Sequence, residues 1–99
     1  MEKNKVDNIL KERGSKYGEF ETLAMTSMAM KGAFMQGLQN RMSADKHEAI
    51  GMIIHKIARI ANGDPDYIDN WDDIAGYATL ISNKLRKDEI TAQDRTTKD

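Results

Sequence analysis

A chain of 99 residues, 39% hydrophobic and 31% charged, has room for one domain and an adequate rather than generous core. Fifteen Lys and Arg against sixteen Asp and Glu leave a net charge of −1, which excludes a general pull towards nucleic acid or an anionic membrane surface. The absence of cysteine excludes disulfides, thiolate metal sites and a thiol nucleophile, and no stretch has the length and apolarity to cross a bilayer. The opening MEKNKVDNIL lacks the apolar run of a secretory signal, so a cytoplasmic protein is expected, with no membrane association and no direct nucleic-acid binding.

A single proline and few β-branched runs predict helices throughout. The first spans about Lys3 to Arg13, with Val6, Ile9 and Leu10 on one face, and stops at Gly14, a residue suited to a left-handed cap. After the turn SKYGEF, a second helix runs from about Glu19 to Asn40. Its apolar spacing is set by Phe20, Leu23, Ala24, Met28, Phe34, Met35 and Leu38, and it is weakened at Gly32 and Gly37. Lys31 falls in the middle of that face, where a charge must pair, snorkel or line a cavity unless Gly32 breaks the helix. Met25 and Met30 lie off the stripe and predict a second apolar contact, with another copy of the chain.

Ser43 is placed to cap a third helix whose buried stripe is Ile50, Ile53, Ile54, Ile57 and Ile60. Asn62-Gly63-Asp64-Pro65 ends it. A fourth helix starts near Asp69, with Trp71, Ile74, Ala78, Ile81 and Leu85 as its buried stripe. From residue 88 to 99 the apolar period is gone and a disordered tail is expected, leaving residues 1–87 as one helical domain. The fold class expected is thus all-α, a small four-helix bundle that assembles as a homo-oligomer.

The polar side of the third helix carries His55, Lys56 and Arg59, either a solvated face at a helix end or a phosphate-binding surface. Asp69, Asn70, Asp72 and Asp73 exceed what capping of the fourth helix requires. A hairpin across NGDPDYID brings Lys56 and Arg59 towards Asp69 and Asp73, as an ion-pair network or as a ligand site. Tyr77 borders the same stripe, and His55 has no partner at metal-ligand spacing. ERGSKYGEF gathers Arg13, Lys16 and Tyr17 in a turn with two glycines, equally a backbone cradle for an anion or an ordinary connector.

Two stretches, ERGSKYGEF and HKIARIANGDPDYIDNWDDIAGYATLI, resemble an uncharacterised domain family of small bacteriophage and prophage proteins, a likeness covering Glu12 to Leu85. More distantly, Lys56-x-x-Arg59-Ile60 followed by Asp69-x-x-x-Asp73-x-Ala75-x-Tyr77 is similar to MazG-like all-helical nucleoside triphosphate pyrophosphohydrolases. That likeness implies a helical, often oligomeric bundle that handles nucleotides between helices. The hydrolase pattern holds magnesium with E-x-x-E and E-x-x-D pairs, whereas the matching positions here are Lys56-x-x-Arg59 and Asn70-x-x-Asp73. Two cations in place of two carboxylates favour holding a phosphate over cutting it.

The expectation is a phage accessory protein that binds a nucleotide or cyclic-nucleotide-like signal without turnover, in nucleotide metabolism or against a host defence. Its ligand residues would be Lys56, Arg59, His55, Asp69, Asp73, Tyr77, Arg13, Lys16 and Tyr17, with no catalytic residue, metal or cofactor. One alternative is a pyrophosphohydrolase in which Glu19, Glu48, Asp69 and Asp73 gather Mg²⁺. The other is an interaction module that inhibits a host protein through the methionine surface of the second helix, which also serves self-association.

Overall fold

The computed structural model describes residues 2–97, with side chains over 5–93. It contains four helices: α1 (Glu2–Tyr17), α2 (Phe20–Gly37), α3 (Ala44–Asn62) and α4 (Ile68–Thr97). There is no strand among the described residues, and the all-α bundle expected from the periodicity is what forms.

α3 is the hub, packing against α4, α2 and α1, while α1 also touches α2. It can serve three neighbours because small side chains let helices approach: Ala49 and Ala58 are buried, with Ile54 filling the space beside them. Two short loops fold α2 and α4 back along α3 as antiparallel neighbours. The ion pair from Lys84 Nζ to Asp45 Oδ2, at 2.6 Å, marks where α4 passes the N-terminal end of α3.

Several boundaries differ from those expected. α1 runs through Gly14 to Tyr17, and the left-handed residue is Gly18 (φ +85°), whose N–H donates to the Gly14 carbonyl at 2.9 Å. α2 is continuous across Gly32 and stops at Gly37. The Ser43 hydroxyl makes no helix cap; it donates to Asp45 Oδ1 at 2.5 Å. α4 does not end near Lys87 but continues to Thr97, so the expected tail is helical as far as it is described; residues 98–99 lie outside the described residues. The stretch after Gly76 has neither glycine nor proline, the two residues that interrupt a helix most strongly.

The core is thin. Its buried apolar residues are Leu23, Ala49, Ile54 and Ala58. Of the expected stripes, Phe20, Met28 and Met35 on α2, Ile57 on α3, and Trp71 and Leu85 on α4 are all exposed. Leu23 of the expected α2 stripe is buried, Ser27 turns inward with it, and Lys31 is half-buried in a small cavity beside Phe34, His47 and Gly51. The molecule measures 70 × 28 × 25 Å, with a radius of gyration of 18.5 Å against about 13 Å for a compact domain of this length.

Candidate anion-binding cleft

The end of α1 and the end of α3 are locked backbone to backbone. A Cβ on Gly18 would overlap the Asn62 carbonyl, and one on Gly63 would overlap the Lys16 carbonyl. The Asp64 N–H donates to the Lys16 carbonyl at 2.8 Å, and the Asn62 side-chain amide donates to Thr26 Oγ1 at 3.0 Å, tying in α2. The connection itself is a proline turn: Tyr67 N–H donates to the Asp64 carbonyl (3.2 Å) and Asp66 N–H to Asp64 Oδ1 (2.9 Å). Trp71 Nε1–H closes it on the Pro65 carbonyl at 2.8 Å. The two stretches ERGSKYGEF and NGDPDY are therefore halves of one interlocked corner.

Beside that corner lies an open cleft of about 400 Å³ between α1, α2 and α3, lined by Leu10, Arg13, Tyr17, Phe20, Leu23, His55 and Arg59 with Glu19 on its rim. Tyr17 is the centrepiece. The Arg59 guanidinium carbon lies 4.3 Å from its ring centroid and that of Arg13 lies 5.5 Å from it. Among the described residues, neither arginine has an ion pair or a side-chain hydrogen bond. Burial first, then the charges of Arg59, Lys31 and Lys56, hold the His55 pKa below its ordinary 6.5, so the imidazole is neutral in a locally positive field.

The remaining expected residues are placed elsewhere. Lys16 pairs with Glu12 (3.3 Å) and sits 5.0 Å from the Tyr67 ring. Lys56 is buried against α4 and pairs with Asp73 at 2.9 Å, so the α3–α4 contact foreseen for Lys56 forms as an ion pair, while Arg59 turns to Tyr17 instead of an aspartate. Asp69 accepts the Tyr67 hydroxyl at 2.8 Å. Tyr77 lines a shallow depression on α4 with Asp72, Asp73 and Leu80, outside the cleft. The reason is helical phase: His55 and Arg59 are four residues apart on one face, and Lys56 is turned 100° from His55 towards α4.

Tyr67, Leu10, Phe20 and Leu23 were not foreseen as parts of this region. Tyr67 packs edge-on against Tyr17 (5.8 Å between centroids), and its hydroxyl, bonded to Asp69, has its pKa pushed up to about 12. Its position two residues after the only proline, in a segment shared with Asp64 and Asp66, was the available signal. Asn70, one of the four polar residues beyond what capping of the fourth helix requires, is 1% exposed, and its amide nitrogen has no partner among the described residues.

The magnesium site of the hydrolase alternative does not fit these residues. Asp73 is held by Lys56 and Asp69 by Tyr67, and among the described residues no three His, Cys, Asp or Glu side chains converge.

The sequence profile of DUF6378, a domain of unknown function, matches residues 3–86. The chain belongs to this family. The matched span takes in the interlocked corner and every residue of the cleft. No curated protein and no solved structure shows a significant match to the chain. No helix among the described residues is long and apolar enough to cross a membrane.

Proposed function

We propose that this DUF6378 protein binds a nucleotide, or a nucleotide-derived signal such as a cyclic nucleotide, in the α1–α2–α3 cleft and holds it without turnover. The observation that carries this reading is the pair of arginines sharing the Tyr17 ring, neither of them in an ion pair among the described residues. Two guanidinium groups at one ring repel each other; a phosphate between them relieves that repulsion and accepts charge-assisted hydrogen bonds from both. Phe20, 81% exposed at the cleft edge, and Leu10 supply apolar surface of the kind a base stacks on. Tyr17 is already covered by the arginines and acts as their platform. The phage setting, with its roles in nucleotide metabolism or capture of a host-defence signal, rests on the resemblance of the two motifs alone.

Titration calorimetry with ATP and with a cyclic dinucleotide, each with and without magnesium, tests this. Binding should persist in a chelator with no release of pyrophosphate. Arg59→Ala and Arg13→Ala should each weaken it about ten- to a hundredfold, ~1.4–2.8 kcal/mol, at unchanged helix content. Magnesium-dependent pyrophosphate release would turn the assignment to the hydrolase, and no heat with either nucleotide would remove it.

Self-association belongs to the same reading. Met25 and Met28 on α2 are 69% and 66% exposed and Met35 is also open, a soft apolar row suited to another copy, whereas Met30 is half-buried. Met28→Asp should reduce the assembly mass in light scattering if that row is a contact.

A further inference from the structure

The isoleucine row of α3 and the tryptophan-bearing stripe of α4 have the spacing of core residues, yet the chain leaves much of both uncovered. Between them runs a largely apolar groove of about 310 Å³ whose lining includes Ile50, Ile53, Ala78, Ile81 and Leu85 together with Lys46 and Ser82. One turn beyond Ile53 is Ile57, 40% exposed, and at one end of the α4 stripe Trp71 is 54% exposed with its indole held in place by Pro65. This face is separate from the methionine row, since the groove lies along α3 and α4.

The accessible area is large enough to leave room for a partner. The chain exposes 7876 Å². A folded monomer of 11.2 kDa exposes about 5,700 Å², an excess of about 2,200 Å². Part of that belongs to α4, whose 30 residues reach about 45 Å beside the roughly 28 Å of α3. Even half of the excess is more than the about 800 Å² that each partner contributes to a standard interface.

We infer that the α3–α4 groove is a two-fold interface with a second copy of this chain, the two hairpins closing into one four-helix bundle whose shared core contains Ile53, Ile57, Trp71 and Leu85. A second copy fits because the stripe it must cover is the stripe it brings, and a net charge of −1 sets no barrier to like meeting like. The core of this protein is then completed between chains. The inference does not depend on the ligand proposed for the cleft.

Light scattering on the full chain, read beside Trp71 fluorescence, tests it. Wild type should show at least twice the 11.2 kDa chain mass, with Trp71 emission at the short wavelengths of a buried indole. Ile57→Glu and Leu85→Glu each alter a side chain that is exposed within one chain. Either should halve the assembly mass and shift Trp71 emission to longer wavelength with helix content retained. A wild type of single-chain mass overturns the inference. So do two folded groove variants of unchanged mass, including the case in which Met28→Asp alone dissociates the assembly.

Discussion

At the scale of single residues, the field around the cleft makes His55 a reporter. Its folded pKa lies below the unfolded 6.5, so between those two values the unfolded chain binds more protons and stability rises with pH. Acidification from about pH 7 to about pH 5 should lower the melting temperature of the wild type more than that of His55→Gln. A bound phosphate reverses the balance by favouring the imidazolium, so anion affinity measured over the same range should rise as pH falls; an affinity independent of pH would place the anion away from His55. Lys56 tests the other seam. Its buried ammonium depends on Asp73, which is 48% exposed at its side chain, so solvent screens part of the loss when the partner goes. Asp73→Ala should cost about 1–2 kcal/mol in urea unfolding, and Lys56→Met, which removes the charge itself, less.

At the scale of elements, glycines separate what local sequence can say from what it cannot. Gly32 lies inside α2 with open space where a Cβ would go, so Gly32→Ala should stabilise by about 1 kcal/mol. Gly18→Ala puts a methyl into the Asn62 carbonyl at a positive φ and should cost about 1–3 kcal/mol, loosening the cleft by pushing α1 from α3. Thermal unfolding of both variants checks the opposite signs. The helix pattern was legible because Pro65, Gly63 and the apolar spacings act over one or two turns. The role of Gly18 was not, because SKYGEF reads as a loose turn until Asn62 is packed against it. Gly14, the nearer candidate for a left-handed cap, lies within α1, because a single glycine costs a helix only about 1 kcal/mol and does not by itself stop it. Arg59 was legible as a candidate phosphate ligand, whereas its platform, Tyr17, became specific only when α1 met α3.

At the scale of the whole molecule, four apolar residues are buried among the described residues while Trp71 and Ile57 stay open. If the groove closes on a second copy, unfolding and dissociation are one event. The melting midpoint of the wild type should then climb with protein concentration, and that of Ile57→Glu should stay flat. The sequence by itself determined the all-helical class, the four segments and the amphipathic stripes, because helix propensity and the 3.6-residue period are local properties. Only the tertiary structure decided which stripes meet inside one chain, that Lys56 goes to Asp73 while Arg59 goes to Tyr17, and that two glycine turns interlock to build the cleft. Those outcomes depend on where α3 crosses its neighbours, and an angle between helices is set by the sum of their contacts and not by any one segment.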